Sequence, residues 1–379
     1  MSRLFLFDTS NFTDYPIGGQ LTSIHNFLHY IADSHPERMS EIILVGLTRD
    51  DTTLGRMQRV ELFGHKVRHY PVICCREELD STTQSVRAQY VKGLLKYVGR
   101  LAIRRSDVCY INTPEAYAAL FVKCPWARFV TFSHQNYFEM RKSFRFYQDK
   151  KWILDAFDTY LKFMVRRMHL IFVLNRSCEE TYGRYHGRTM RVVNSIVCPE
   201  DVGAGEMSHH RMLFVGRLSL NKGIETIIRA VLSMPEEYTL TIVGDGEERE
   251  RLTGITSDER IRFTGALAPE EVREHYWASD ILIMNSGYEG LPMTILEAQS
   301  YGLPVVTTDV GGIGEAVHYG HDAEKTDGTA EGIAAAIERV EADYERYSLN
   351  AMSNAQRFDY RTVNRDIYDA LSRYWRPSA

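Results

Sequence analysis

Glu289-Gly-Leu-Pro-Met-Thr-Ile-Leu-Glu297 places two carboxylates around the start of one helix, and Pro304-Val-Val-Thr-Thr-Asp-Val-Gly-Gly312 follows as a strand and a tight turn. Pro292 sits where a first helical residue tolerates a missing N–H, and Gly302 sits where the helix should stop. Such a helix starts beside Glu289 and carries Glu297 roughly a turn and a half further along its axis. The positive dipole end at Gly290, Leu291, Pro292, Met293 and Thr294, with the backbone N–H groups of all but the proline, suits a phosphate. Carboxylates only accept hydrogen bonds, so Glu289 and Glu297 suit neighbouring hydroxyls such as those of a sugar and a ribose.

Outward from this stretch, short apolar runs alternate with longer helical patterns, which predicts an α/β fold with parallel sheets. In the first half the strands fall at 4–7, 42–46, 68–72, 108–111, 129–133, 170–174 and 192–197; in the second at 212–216, 240–244, 261–265, 281–284 and 304–308. Two such series in a chain of 379 residues predict two Rossmann-like domains. The boundaries expected are 1–199 for the first, joined by a C-terminal helix at 360–379, and 200–359 for the second. The segment 198–210, with Pro199 and two glycines, reads as the linker.

Composition is that of a globular protein, 44% hydrophobic and 25% charged. The six cysteines form no CxxC pair and read as reduced packing residues. The apolar run at the N-terminus is only four residues before Asp8, so it reads as a first strand and not a signal peptide. A cytoplasmic location is expected, with peripheral contact to the inner face of the plasma membrane. Residues 1–200 carry 28 Lys and Arg against 20 Asp and Glu, a balance of +8, while the remainder carries −13. That asymmetry suggests an anionic partner for the basic half. Nucleic acid is not expected, because no nucleic-acid-reading motif accompanies the charge. An anionic membrane surface fits better: Lys92, Lys96, Arg100 and Arg104 recur every four residues on one side of an expected helix. Val91, Leu94, Leu95, Val98, Leu101 and Ala102 fall on the side expected to pack on the sheet.

Phe214-Val-Gly-Arg-Leu-Ser-Leu-Asn-Lys-Gly223 is a strand, a glycine turn, then Arg217 and Lys222 before a helix. A guanidinium and an ammonium here could neutralise phosphoryl oxygens without a metal ion. Gly244 ends the next strand in a tight turn that allows close backbone approach. In the first half, Gly18 and Gly19 form the first strand-to-helix turn, where backbone N–H groups come close to something small or anionic. His134 stands at the end of the 129–133 strand. There is no Asp-x-Asp metal motif and no Gly-x(4)-Gly-Lys-Ser/Thr phosphate loop.

The string from Ser286 to Gly312, with Gly216–Gly223 before it, closely resembles the signature of retaining nucleotide-sugar glycosyltransferases of the GT-B fold, in particular glycosyltransferase family 4. The resemblance covers nearly the whole second half; the first half matches in layout and in Gly18, Gly19 and His134. It implies two Rossmann-like domains facing across a cleft, with the last helix returning to the first domain. It implies a hexosyltransferase with no metal and no cofactor, using a UDP- or GDP-linked nucleotide sugar as co-substrate. Glu289 would bind the sugar, Glu297 the ribose, Arg217 and Lys222 the diphosphate, and His134 would orient a sugar hydroxyl. The acceptor expected is a lipid-linked or saccharide intermediate of polysaccharide biosynthesis. Asn194-Ser195 departs from the Asn-Gly usual in relatives and leaves that turn's geometry open. Another GT-B enzyme, such as a nucleotide-sugar epimerase or phosphorylase, and a catalytically silent glycosyltransferase-like subunit remain as alternatives.

Overall fold

A computed structural model describes residues 2–13, 19–75, 86–134, 151–200 and 210–376. The chain divides into two units, residues 1–193 with 363–379, and 194–362. The expected linker lies largely outside the described residues, as does Gly18.

The first unit has strands β1 (Leu4–Phe7), β2 (Ile42–Thr48), β3 (Gln58–Leu62), β4 (His65–Cys74), β5 (Val108–Ile111), β6 (Arg128–Ser133), β7 (Leu170–Val173) and β8 (Thr189–Arg191). They form one sheet in the order β3-β4-β2-β1-β5-β6-β7-β8. All neighbours are parallel except the β3–β4 hairpin. Its described helices are α1 (Gly19–Ser34), α2 (Val86–Tyr97), α3 (Pro114–Lys123), α4 (Lys151–Arg167) and α5 (Arg176–Gly183).

The second unit has β9 (Arg211–Val215), β10 (Thr239–Val243), β11 (Ile261–Gly265), β12 (Ile281–Met284), β13 (Val305–Thr307) and β14 (Ala323–Lys325), all parallel, in the order β11-β10-β9-β12-β13-β14. Its helices are α6 (Ile224–Ser233), α7 (Arg249–Thr253), α8 (Pro269–Trp277), α9 (Met293–Ser300), α10 (Ile313–Ala316), α11 (Ala330–Glu341) and α12 (Tyr344–Ala355). The last helix, α13 (Tyr360–Ser372), belongs to the first unit from Val363 onward.

Central strands such as β1, β5, β7 and β12 are buried at every position, which is why they read as continuous apolar runs rather than alternating ones. Both units use one device to set the register of these strands. Arg3 beside β1 and Arg211 in β9 each place a backbone N–H and a guanidinium on a fully buried aspartate, Asp107 before β5 and Asp280 before β12. Arg211's guanidinium reaches both oxygens of Asp280, a bidentate pairing that adds geometric specificity as well as energy.

Three expectations need correction. The segment 192–197 is not a strand; β8 lies just upstream, and Ile196 bonds instead to the backbone of Phe358 and Tyr360. The hairpin strand β3 was not foreseen, because it alternates polar and apolar residues on a half-exposed edge. The basic helix is also shorter than its periodicity predicts. After Tyr97 the chain tightens into a 3₁₀ turn over Val98–Leu101, and Ala102 takes a left-handed conformation that stops further helical rotation. Leu95, inside α2, and Ala102 are exposed rather than packed on the sheet, and Arg104 sits in a loop with its N–H on Asp107. Lys92, Lys96, Arg100 and Arg104 are nevertheless all exposed. No described helix is long and apolar enough to cross a membrane.

Candidate functional site

In the second unit the loop from Asn285 to Pro292 joins β12 to α9, and four separate contacts pin it. Asn285 Nδ2 donates to the Gly328 carbonyl at 3.2 Å, and Thr308 Oγ1 donates to the Ser286 carbonyl at 2.8 Å. The Gly287 N–H donates to the Asn221 carbonyl at 2.8 Å, and Asn194 Nδ2 donates to the Leu291 carbonyl at 2.7 Å. The Asn194-Ser195 turn, left open by the sequence, thus anchors the approach to α9. Behind the loop the Gly311-Gly312 turn packs backbone to backbone. A Cβ at Gly311 would lie 1.8 Å from the Glu289 carbonyl oxygen, and one at Gly312 would lie 1.7 Å from that of Gly290. No side chain fits there, so this glycine pair serves to position the loop.

That loop presents Glu289 to Lys222, which closes a 3₁₀ turn between β9 and α6. Lys222 Nζ pairs with Glu289 Oε1, and Ser286 Oγ donates to the same oxygen at 2.7 Å. Both partners are largely enclosed, with side chains 20% and 12% exposed. An ion pair this sheltered is screened less by solvent than a surface pair.

Helix α9 begins at Met293, and Pro292 is its cap rather than its first residue, a correction of one position. Its ψ of 121° is extended, as a cap requires, and its ring offers no acceptor, so no side chain caps this end. The first-turn N–H groups, including Met293 and Thr294, have no intrahelical acceptor. Leu291, just before them, is buried. Gly302 does stop the helix, at φ +78°.

Glu297 lies further along α9 and is held by a different element. Tyr276 Oη in α8 donates to its Oε2 at 2.9 Å. Burial raises the carboxyl pKa, an effect opposed by the Tyr276 hydrogen bond and by Arg273. Arg217 is 75% exposed and pairs with Glu247 at 3.1 Å; the structure does not bring it onto the Lys222–Glu289 pair. Gly244 permits close approach of a different kind: a Cβ would lie 1.9 Å from the Gly216 carbonyl oxygen, so it lets the turns after β9 and β10 touch.

In the first unit, Gly19 opens α1. His134 follows β6, stacks on Phe132 at 4.3 Å between centroids, and hydrogen-bonds through Nε2 to Asn112 Oδ1 at 2.9 Å. Burial lowers its pKa to about 4, which keeps the ring neutral at physiological pH. Ser286, Tyr276, Asn194 and Asn112 are contacts that sequence reasoning did not assign to roles. For Asn112 the available signal was position, since it is the first residue after β5 just as His134 is the first after β6. Tyr276 carried no comparable signal, because only packing brings α8 against α9.

A mixed α/β chain of two parallel-sheet units in series is the GT-B fold. The structure superposes on sucrose-phosphate synthase from Thermosynechococcus elongatus with a TM-score of 0.76 at 17% identity, covering 98% of this chain and 99% of that one. It superposes on Anabaena HepE in complex with UDP-glucose with a TM-score of 0.66 at 21% identity, covering 98% and 100%. At these identities the likeness is one of fold. Residues 209–343 match the family described as "Glycosyl transferases group 1". The lipopolysaccharide core biosynthesis glycosyltransferase LpsE of Rhizobium meliloti is 37% identical over 137 residues, 35% of this chain and 39% of the relative. The O-antigen biosynthesis glycosyltransferase WbnH of Escherichia coli is 34% identical over 152 residues, 39% of this chain and 43% of the relative. The matched regions thus span well under half of these curated relatives.

Proposed function

We propose that this protein is a metal-independent, retaining glycosyltransferase of family 4. It would move a hexose from a UDP- or GDP-linked donor to a hydroxyl of a lipid-linked or saccharide acceptor. The observation that carries the reading is the Lys222–Glu289 pair, set by a glycine-backed loop at the uncapped start of α9. An ammonium, a carboxylate and a helix N-terminus meet there, and they complement a phosphate joined to a polyol. On binding, Lys222 would exchange its carboxylate for diphosphate oxygens and free Glu289 for the sugar hydroxyls. Glu297, held by Tyr276 through one oxygen, would offer the other to the ribose. The bond from the anomeric carbon to the diphosphate breaks, and the acceptor oxygen bonds to that carbon on the same face. The departing phosphate oxygen takes the acceptor proton. Neutral His134 would orient a sugar hydroxyl.

Donor hydrolysis and transfer should be assayed with a panel of UDP- and GDP-sugars, with and without excess EDTA. Activity should persist in EDTA, because Lys222 and the helix N-terminus supply the positive field at the leaving group. Complete loss with EDTA, restored by Mg²⁺ or Mn²⁺, would overturn metal independence. Turnover only with inorganic phosphate, or epimerised donor without transfer, would identify a phosphorylase or an epimerase. No turnover with any donor would indicate a silent subunit.

A membrane-side acceptor is supported by the surface of the first unit. Lys92, Lys96, Arg100, Arg104 and Arg105 are exposed. Trp126, 49% exposed, donates from Nε1 to the Ile103 carbonyl and so sits beside that basic loop. Each cation near an anionic leaflet contributes about 1 kcal/mol, and an indole suits the interface. The protein should co-sediment with phosphatidylserine vesicles at low salt and be released at high salt. Reversing Lys92, Lys96, Arg100 and Arg104 to Glu should abolish this while leaving donor hydrolysis intact. If the wild type ignores anionic vesicles at low salt, the acceptor is soluble.

A further inference from the structure

Asp8, Asn112 and His134 are each the first residue after a strand, and the three strands β1, β5 and β6 are consecutive neighbours in the sheet. Parallel pairing sets Asp8 beside Asn112 and Asn112 beside Phe132, and the two-residue strand period returns His134 to the same face one step further along the carboxyl edge. Asn112 Nδ2 lies 3.3 Å from Asp8 Oδ1, and Asn112 Oδ1 lies 2.9 Å from His134 Nε2. We infer that Asp8 and Asn112 form a polarity relay that holds His134 as the Nε2–H tautomer and leaves Nδ1 as the ring's acceptor.

The direction follows from donor chemistry. A carboxylate can only accept, so the amide must turn its NH₂ toward Asp8. That leaves the amide oxygen facing the imidazole, and an oxygen acceptor requires a proton on Nε2. A neutral imidazole carries one N–H, so Nδ1 is then bare. Stacking on Phe132 holds the ring plane. Asp8 itself is fixed through its backbone N–H on the Val45 carbonyl at 3.2 Å. The end effect is a histidine that can take a hydrogen bond from a hydroxyl at Nδ1 and cannot donate one there. Asn112 and Asp8 are thus positioning residues for the histidine, and the part played in turnover rests on the glycosyltransferase reading above.

The test uses the full chain labelled with ¹⁵N-histidine, with the His134 ring signals assigned by their loss in His134→Gln. Wild type should show a single neutral Nε2–H tautomer at pH 7. Asp8→Asn keeps the shape but can present either end of its amide, and Asn112→Leu removes the relay; both should yield a tautomer mixture or the Nδ1–H form. Turnover of the donor at saturation should fall about tenfold in Asn112→Leu, the order of one net hydrogen bond, with a smaller change in KM. A wild-type Nδ1–H tautomer, a charged ring, or a tautomer unmoved in both variants would overturn the relay. If the tautomer moves and His134→Gln lowers turnover but Asn112→Leu does not, the positioning role fails. If the tautomer moves and none of the three variants changes turnover, the relay stands and the place of His134 in the glycosyltransferase site fails.

Discussion

Replacing Lys222 with alanine should lower turnover by about 10²-fold or more, the scale seen when one preorganised charge-stabilising donor is removed. Lys222 is held against Glu289 by the 3₁₀ turn before α6, and Ser286 shares the same carboxylate oxygen. The ammonium is therefore delivered to the start of α9 rather than searching for it, and little ordering remains for the reaction to supply. Alanine removes the charge that would meet the leaving diphosphate and leaves Glu289 with Ser286. Because Ser286 still holds the carboxylate, the loop should keep its geometry, and thermal unfolding should change little. Lys222→Arg should recover part of the loss, since the charge remains while its shape and reach differ. Steady-state kinetics on the two variants decide the matter. A change below about threefold in Lys222→Ala would mean a merely solvated cation and would remove the basis of the proposed site.

Arg38→Ala should cost about 3–5 kcal/mol of stability in the first unit, the range for breaking a buried ion pair from one side. Arg38 is buried in the short turn after α1, with Nε on Glu41 at 3.0 Å. Its Nη2 donates to the Trp375 carbonyl at 3.0 Å, and its guanidinium carbon lies 3.8 Å from the centre of the Trp375 ring. Trp375 is fully buried and donates from Nε1 to the Ser2 carbonyl at 3.1 Å. One guanidinium thus ties α13's trailing end to the turn before β2, beside the start of the chain. Alanine would strand the Glu41 carboxylate in a buried place and unseat the indole. Urea unfolding followed by tryptophan fluorescence should show the first transition moved to lower denaturant, while Arg38→Lys loses less. A loss under about 1 kcal/mol would show that the ion pair and the stacking do not hold this end.

The central strands could be read from the chain itself because burial on both faces leaves a continuous apolar run, as in Leu4–Phe7 and Ile281–Met284. The helix that follows Glu289 and carries Glu297 was legible for a local reason too, since proline and glycine act on their own backbone. Where neighbours decide, the sequence was silent or misleading. The basic helix ends early because Ala102 turns left-handed and Asp107 captures the next loop. Ile196 leaves the sheet for the chain near Phe358, and β3 exists only because β4 pairs with it. At the site, the residue types at Lys222 and Glu289 suggested a charge pair with phosphate and sugar, but their mutual contact and the Ser286 bond required the fold. Arg217 carried the same promise; in the structure its side chain is exposed and pairs with Glu247 at the surface. Tyr276 on Glu297 and Asn112 on His134 are hydrogen bonds between separate elements, 21 and 22 residues apart in sequence. Backbone preference is encoded residue by residue and can be read there, whereas a hydrogen bond between two side chains depends on where two separate elements are packed, which only the tertiary structure decides.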